Sequence, residues 1–277
     1  LLPRQLEACG LTEANLTVTD SALHRIIRNY TRESGVRGFE RELARLARKA
    51  ARRVVAEGPT ASVNADEDSI PDLLGIPKHV RPAVDVADQI GVVSGLAVTP
   101  WGGEVLEIEV AVVPGKGKLI LTGRLGDTLK ESATAGWSYL RSRADRLGLA
   151  ADVHETVDLH VHYPGNSLGT DGPSAGIAMA TALTSALTGV AVRGDLAMTG
   201  EISLRGRVLP IGGLKEKLLA ACRRGLTTVL IPSGNEKDLP DVPEDVRAIL
   251  DIRPVSHMDE VLEIALRTGA LEKSASD

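Results

Sequence analysis

The sequence predicts two domains, an all-α helical segment followed by an α+β domain with mixed sheets. Three observations support this division. Residues 1–57 carry apolar side chains at helical spacing, residues 58–83 contain prolines and an acidic cluster with little periodicity, and strand-like and helix-like patterns intermix from residue 84 onward. We therefore expect a helical domain at 1–57, a linker at 58–83, a second domain at 84–270 and a tail at 271–277.

The composition disfavours several classes of protein. Hydrophobic residues make up 43% of the chain, charged residues 25%, and the formal net charge is −5, which is typical of a soluble globular protein and not of a dedicated nucleic-acid binder. The sequence has no apolar run near the roughly 20 residues that cross a bilayer, so we expect a cytoplasmic protein with no membrane partner. Two cysteines cannot form a disulfide framework. Because the chain begins with Leu1 and not methionine, we expect it to be part of a longer protein.

The first segment is predicted to be helical throughout. Thr19 is placed to cap a helix that runs to Tyr30, and a long helix ending at Glu57 follows a glycine-containing turn at 34–38. The outer faces of the long helix are basic, with Arg41, Arg45, Arg48, Lys49, Arg52 and Arg53. We interpret this basic surface as a solvated helix face, and a nucleic-acid surface is the alternative.

The second domain is predicted to begin with strands at 91–98 and 104–113, and a hairpin turn at 114–117 leads into a third strand at 119–121. The remaining predicted elements are a helix at 125–147, a strand at 157–163, a helix at 173–187, strands at 196–202 and 208–211, a lysine-bearing helix, a strand at 228–231 and a helix at 258–268. This mixture of strands and helices is typical of the α+β or mixed α/β classes.

A serine within residues 171–176 (Asp-Gly-Pro-Ser-Ala-Gly) is the first candidate for catalysis. Pro173 suits the first turn of a helix, which would place Ser174 beside free backbone N–H groups and a partial positive charge. Such groups stabilise the oxyanion of an acyl-transfer intermediate. The structural alternative is a helix start with a packing glycine.

Residues 212–217 (Gly-Gly-Leu-Lys-Glu-Lys) supply a candidate base. A lysine can accept the proton of a serine hydroxyl near neutral pH only if burial lowers its pKa from about 10.4 by roughly 2–3 units. Periodicity does not decide between Lys215 and Lys217, and Lys215 lies nearer the centre of the apolar face. Most lysines on such helices extend into water.

Three other patterns are weaker candidates. The Gly172-x-Ser174-x-Gly176 spacing fits the α/β-hydrolase elbow, which needs a strand running into the serine and a histidine such as His257. His160 and His162 face one side of a predicted strand, without a third metal ligand at suitable spacing. Residues 113–118 lack the complete phosphate-loop pattern, so we expect no ATP hydrolysis by this polypeptide alone.

Three motifs together resemble the proteolytic domain of the Lon family of ATP-dependent proteases. They are residues 171–176, 198–201 (Met-Thr-Gly-Glu) and 209–217. The Pro-Ser-Ala-Gly form resembles the bacterial A-type and not the membrane-anchored archaeal B-type. Upstream, residues 34–38 and the basic helix are similar to the helical lid of Lon's AAA+ module. The chain is thus identified as a C-terminal fragment with the lid and the proteolytic domain.

The resemblance implies roles for individual residues. Ser174 and Lys217 would form a catalytic Ser–Lys dyad, Thr199 would hydrogen-bond near the lysine, and Arg37 would be the lid arginine that senses nucleotide. Asp171 and Gly172, in the serine motif, would support the site. Peptide hydrolysis would need no cofactor and no metal, whereas ATP and Mg²⁺ would serve the full-length protein.

The resemblance also implies the biological setting. The full-length protein would be a homo-hexamer that degrades unfolded, damaged or regulatory proteins. Non-proteolytic Lon-like AAA+ proteins that bind partners or DNA are the alternative, although such relatives generally lack the Ser–Lys pair. In the loop before the serine, Pro164-Gly165-Asn166 and Thr170 stand where Lon proteins usually carry Pro-Glu-Gly and a lysine.

Overall fold

The computed structural model describes residues 1–79, 87–164 and 171–267. The chain divides into two compact units, Leu1–Ala83 and Val84–Asp277. The predicted tail at 271–277 lies outside the described residues. No helix within the described ranges is long and apolar enough to cross a membrane.

The first unit is built around one long helix. Its helices are α1 (Leu2–Ala8), α2 (Asp20–Tyr30), α3 (Arg37–Glu57) and α4 (Ile70–Leu74). The predicted cap is present, since the Thr19 hydroxyl accepts a hydrogen bond from the backbone N–H of Ala22 at 3.2 Å. The apolar stripe of α3 lies in the core, where Leu43 and Leu46 are fully buried.

The structure differs from the predictions for this unit in two places. Leu16–Val18 forms strand β1, which pairs in parallel with β2 (Val63–Ala65), so the segment is not entirely helical. The predicted linker contains β2 and α4, and both contribute buried side chains to the core. Its acidic cluster is a turn, in which the N–H of Ser69 donates to Asp66 Oδ1 at 2.9 Å. Capped turns of this kind look like a linker in sequence because they are polar and aperiodic.

Seven strands of the second unit form one mixed sheet among the described residues. In chain order they are β3 (Val92–Thr99), β4 (Gly102–Pro114), β5 (Leu119–Thr122), β6 (Val157–His162), β7 (Leu196–Met198), β10 (Thr228–Pro232) and β11 (Asp251–Val255). Their spatial order is β11-β10-β7-β3-β4-β6-β5. Strands β8 (Glu201–Ile202) and β9 (Val208–Leu209) form a separate antiparallel pair.

Helices cover both faces of this sheet. They are α5 (Asp127–Arg141), α6 (Val153–Thr156), α7 (Gly176–Thr188), α8 (Leu214–Arg223), α9 (Glu244–Ile249) and α10 (Met258–Ala265). One apolar cluster joins α5, α7 and α10 to the sheet, and a second joins α8 and α9 to it. Alternate strand residues belong to different clusters: Val93 lies in the first and Leu96 in the second.

The predicted hairpin at 114–117 is wrong. Strand β6 lies between β4 and β5, antiparallel to the former and parallel to the latter. Asp158 on β6 holds this connection in place, because its carboxylate accepts hydrogen bonds from the backbone N–H groups of Lys116 and Lys118 at 2.7 and 2.8 Å. The glycine-rich segment therefore wraps around a neighbouring strand instead of folding back on β4.

Candidate active site

Ser174 lies in a short 3-10 turn, Pro173–Ala175, directly before α7. Its side chain is partly exposed. The backbone of this turn is tied to the end of β7, since Gly200 N–H donates to the Ser174 carbonyl at 2.8 Å and Ile177 N–H donates to the Gly200 carbonyl at 3.1 Å. Gly176 permits this approach, because a Cβ there would lie 2.8 Å from the Ile202 nitrogen. These bonds fix the position of Ser174 from both sides.

Lys217 lies on α8 and is buried, with 2% of its surface exposed. The start of α8 packs closely on the β3–β4 turn, because a Cβ on Gly103 would lie 1.8 Å from the Glu216 carbonyl oxygen. Burial lowers the pKa of Lys217 to about 8. Lys215, two residues earlier, is exposed. The structure thus separates two lysines that helical periodicity left equivalent, and the interpretation that Lys215 lies nearer the apolar centre is wrong.

A threonine hydroxyl connects Lys217 to the serine turn. Lys217 Nζ donates to Thr199 Oγ1 at 3.1 Å, and Thr199 Oγ1 donates to the Ser174 carbonyl oxygen at 3.2 Å. Thr199 is fully buried. Its single hydroxyl proton is used toward Ser174, which leaves the oxygen as the acceptor for the lysine. Sequence motifs distant in the chain therefore converge on one hydrogen-bonded line.

Asp171 holds the segment before Ser174 against the start of α5. Its Oδ1 accepts hydrogen bonds from the backbone N–H of Leu129 at 3.1 Å and from that of Gly172 at 2.9 Å. A Cβ on Gly126 would lie 2.3 Å from the Asp171 carboxyl carbon, so the contact needs glycine there. Gly172 has φ +128°, which favours glycine.

A narrow cleft lies beside Ser174. Its walls come from β3, β4, the start of α5, Tyr163 and the serine motif. The enclosed space is about 30 Å³, enough for one or two water molecules. The strand residues Gly95 to Val98 and the tyrosine have no sequence signal beyond an ordinary apolar strand, so sequence reasoning does not find them.

Comparison with known proteins gives the family. A model of the Lon protease AAA+ ATPase lid domain matches residues 7–63, and one of the Lon protease C-terminal proteolytic domain matches residues 64–268. The chain belongs to the Lon protease family. This confirms the predicted resemblance and the fold class, a lid followed by an α+β proteolytic domain. The compact units divide at 83/84 and not at 63/64, because β2 pairs with β1 in the first unit.

Individual Lon proteases match nearly the whole chain. It is 54% identical to Lon protease 1 of Bacillus subtilis over 266 residues, 96% of this chain and 34% of the relative. It is 52% identical to Lon protease of Escherichia coli over 267 residues, with the same coverage of 96% and 34%. Lon protease of Haemophilus influenzae is 53% identical over 266 residues, 96% of this chain and 33% of the relative. The chain thus spans about one third of the length of these Lon relatives.

The histidine of the α/β-hydrolase alternative, His257, has hydrogen-bond partners other than Ser174. His257 Nδ1 accepts from the Asp259 N–H at 3.2 Å and its Nε2 lies 3.0 Å from the Arg205 carbonyl oxygen, so this imidazole serves the start of α10. Strand β6 ends at His162 and does not run directly into Ser174. The α/β-hydrolase alternative therefore has no support in the geometry.

The paired histidines form a different arrangement from a metal centre. Thr122 Oγ1 lies 2.9 Å from His160 Nε2 and 2.7 Å from His162 Nδ1, so one hydroxyl joins the two rings. The part of the chain that the structure describes contains no group of three or more His, Cys, Asp or Glu residues that could hold a metal ion.

Arg37 is the one predicted site residue in the first unit. It is exposed and is the first residue of α3. The carboxylate of Glu33 accepts hydrogen bonds from the N–H groups of Gly38 at 2.7 Å and Phe39 at 2.8 Å, which lowers the pKa of Glu33. The start of the helix is thereby capped. The divergent loop residues 165–170 lie outside the described residues.

Proposed function

We propose that this chain is the proteolytic part of an ATP-dependent serine endopeptidase that uses a Ser–Lys dyad. Ser174 Oγ attacks the peptide carbonyl, the neutral amine of Lys217 accepts the hydroxyl proton, and the lysine returns that proton to the leaving amine. Backbone N–H groups at the serine turn would hold the oxyanion. No metal or cofactor is required for these steps.

The observation that carries the proposal is the environment of Lys217. Its amine is buried, its pKa is lowered to about 8, and its hydrogen bond goes to a threonine that contacts the Ser174 backbone. At neutral pH a usable fraction of this lysine is therefore unprotonated. In the absence of substrate Nζ bonds to Thr199, and proton transfer would require Ser174 Oγ and the amine to come within hydrogen-bond distance. Catalytic hydrogen bonds often tighten only when substrate binds.

Matched substitutions test the dyad. Ser174→Ala and Lys217→Ala should each abolish cleavage of a fluorescently labelled unfolded protein, whereas Lys215→Ala, on the same helix but exposed, should retain most of the activity. A serine-directed covalent inhibitor should label Ser174, as identified by peptide mass spectrometry. Full activity in Lys217→Ala, or labelling at another serine, would contradict the proposal. Loss of activity in His257→Ala alone would instead favour the hydrolase alternative.

The roles of the whole protein follow by extension from the Lon relatives. We propose unfolded, damaged or regulatory proteins as substrates and a homo-hexamer as the assembly. ATP and Mg²⁺ would act outside these residues, since the sequence has no P-loop pattern. Within this chain, Arg37 would contact a phosphate group of the bound nucleotide, because it is an exposed guanidinium at the start of a helix. When bound, ATP would supply the energy for unfolding substrates.

Weak nucleic-acid binding by the basic face of α3 is a second candidate function. Arg41, Arg48 and Arg52 are exposed on this face, while Arg45 and Arg53 pair with Glu42 and Glu57. A titration with duplex DNA at several salt concentrations tests it. Binding that weakens steeply with salt would support a phosphate-tracking surface, and no binding at low salt would leave α3 as a solvated helix.

A further inference from the structure

The start of α8, the helix that carries Lys217, lacks a side-chain cap of its own. Gly213 stands at the cap position with φ +69°, and the Lys217 N–H donates to its carbonyl at 3.2 Å. Gly212 precedes it, so two consecutive residues have wide backbone freedom. The direction of α8, and with it the position of the amine, is therefore fixed by contacts with other elements.

Asn235 supplies hydrogen bonds that hold the segment leading into α8. Its Oδ1 accepts from the Ile211 N–H at 2.9 Å, and its Nδ2 donates to the Ile211 carbonyl at 2.8 Å. The same amide nitrogen donates to Asp238 Oδ2 at 2.6 Å. Only 1% of the Asn235 surface is exposed. The side chain thus pairs with both backbone groups of one residue, as a neighbouring strand would.

A close backbone approach beside Asn235 strengthens this connection. A Cβ on Gly234 would lie 2.6 Å from Pro210 Cγ, so the contact leaves no room for a side chain there. Gly234 and Asn235 lie in the 3-10 helix Ser233–Asp241, which directly follows β10. Two adjacent contacts therefore join the segment before α8 to the residues after β10.

Strand β10 also holds the hydrogen-bond acceptor of Lys217. The Thr199 N–H donates to the Leu230 carbonyl at 3.1 Å, and the lysine amine donates to Thr199 Oγ1 at 3.1 Å. One short stretch of chain, residues 230–235, is thus bonded to the threonine at one end and to the segment before α8 at the other. Because β10 is buried along its length, this stretch is a common frame for the lysine and its acceptor.

We propose that Asn235 is a positioning residue for the Ser–Lys dyad: by clamping Ile211, it keeps the amine of Lys217 within reach of its acceptor. The inference rests on the proposed function of the dyad. Asn235 does not line the cleft beside Ser174, so it acts through the lysine helix and not on the substrate. Loss of the clamp leaves both backbone groups of a partly buried residue without this partner and frees the glycine pair.

Steady-state cleavage of a labelled unfolded protein by the intact chain measures the effect of Asn235→Ala. The kcat should fall about 10- to 100-fold, the cost of a misplaced catalytic group. The KM should change by less than about twofold, because the cleft keeps its walls. A wild-type kcat, or a loss that appears only in KM, would overturn the inference.

The pH profile of kcat is a readout that a merely structural residue does not change. Burial lowers the pKa of Lys217 to about 8, and no charged group among the described residues contributes to this shift. A loosened helix start admits water to the amine, so its pKa should rise in Asn235→Ala. The increase of activity with pH should then move to higher pH, and an unshifted profile would contradict the positioning role.

Asn15→Ala is the matched control for stability. Asn15 is also buried, and its amide also holds a backbone segment, with Nδ2 donating to the Pro59 carbonyl at 2.9 Å and to the Ala61 carbonyl at 3.2 Å. These contacts lie in the first unit. Asn15→Ala should lower the Tm, as Asn235→Ala does, and leave kcat and its pH profile unchanged. If it reproduces the catalytic changes of Asn235→Ala, the inference is wrong.

Two further substitutions separate the bonds of Asn235. Asn235→Asp keeps the shape of the side chain and removes the donor to the Ile211 carbonyl. It should lower kcat and shift the profile in the same direction, and it decides the question if Asn235→Ala does not fold. Asp238→Ala keeps both bonds to Ile211 and should retain most of kcat. Wild-type behaviour in Asn235→Asp, or an equal loss in Asp238→Ala, would argue against the clamp.

The proposed function and this inference fail in different ways. Cleavage that persists in Ser174→Ala removes both. Cleavage that requires Ser174 and Lys217 but is unchanged in Asn235→Ala removes only the inference, and leaves Asn235 as a residue that stabilises the fold.

Discussion

Among the described residues each unit buries one charged side chain, and the two side chains have opposite kinds of partner. In the first unit Glu42 is 4% exposed, and its carboxylate pairs with Arg45 at 2.9 Å and with Lys78. In the second unit Lys217 is 2% exposed, and its amine bonds to the neutral hydroxyl of Thr199. The first charge is neutralised by partners, whereas the second has no carboxylate partner among the described residues.

The two side chains show how the surroundings of a buried titratable group set its protonation. Opposite charges beside a buried carboxylate favour its charged form and offset desolvation. A buried amine beside a neutral group keeps the desolvation penalty, and the pKa of Lys217 falls from 10.5 to about 8. The first arrangement suits a structural ion pair. The second suits a base that must be neutral when a substrate arrives.

The largest expected effect is that of Lys217→Met. Cleavage should fall by about 10²–10⁴-fold, the range for loss of a general base. The free energy of unfolding at pH 7 should rise by about 1–3 kcal/mol, because an apolar side chain replaces a buried amine that carries a desolvation penalty. Chemical denaturation measures this, with Lys215→Met as the exposed control. A Lys217→Met variant with a lower free energy of unfolding than the wild type would show that the buried amine carries no such penalty.

Thr199→Val should have the next largest effect. The isosteric change removes the hydroxyl that joins Lys217 to Ser174, and we expect kcat/KM to fall by about 10- to 100-fold. The rise of activity with pH should also move to lower pH, because the charged amine loses its hydrogen-bond acceptor. Thr199→Ser should restore both the rate and the pH profile. An unshifted profile in Thr199→Val would mean that the hydroxyl does not act on the amine.

Glu42→Gln tests the other side of the comparison. Loss of the carboxylate should destabilise the first unit by about 1–2 kcal/mol. The loss is limited because Arg45 and Lys78 are partly exposed and water can solvate them when the carboxylate is absent. Glu57→Gln on the same helix breaks only the exposed pair with Arg53 and should change stability by less than about 0.5 kcal/mol. Equal effects of the two substitutions, measured by denaturant unfolding, would contradict the structural role of Glu42.

The comparison also predicts a pH dependence of stability. Because the pKa of Lys217 is lower in the folded state than in the unfolded state, the unfolded chain binds more protons between pH 8 and 10.5. The contribution of this group to stability should therefore rise with pH across that window. The stability advantage of Lys217→Met over the wild type should shrink as pH increases from 8 to 10. A constant difference would mean that the pKa is not lowered.

Local patterns in the sequence predicted most elements but not how they associate. Thr19 and the stripe of α3 mark their helices because capping and 3.6-residue periodicity are local properties. Strand β6 lies between β4 and β5, and Asp158 holds the connection between them; both are contacts between residues distant in the chain. Strand β11 and helix α9 were not predicted, since each is short and its residues are mostly exposed.

The same distinction between local patterns and contacts of distant residues applies to the candidate site. Motifs alone provide a serine and two lysines about forty residues apart in the chain, and only the resemblance chooses Lys217. The burial of that residue depends on the close contact of Gly103 with α8, which no local pattern contains. The burial of Tyr163 beside the cleft is likewise not evident from the sequence, because it depends on packing between distant elements.

The most direct test of the central claim is the pKa of the Lys217 amine. NMR titration of the chain carrying isotope-labelled lysine, with the resonance assigned by its absence in Lys217→Met, measures it without any substrate. We expect a midpoint near pH 8 for Lys217, because burial lowers the pKa of its amine. A Lys217 midpoint near 10.5 would contradict the claim that burial alone prepares this lysine to act as a base.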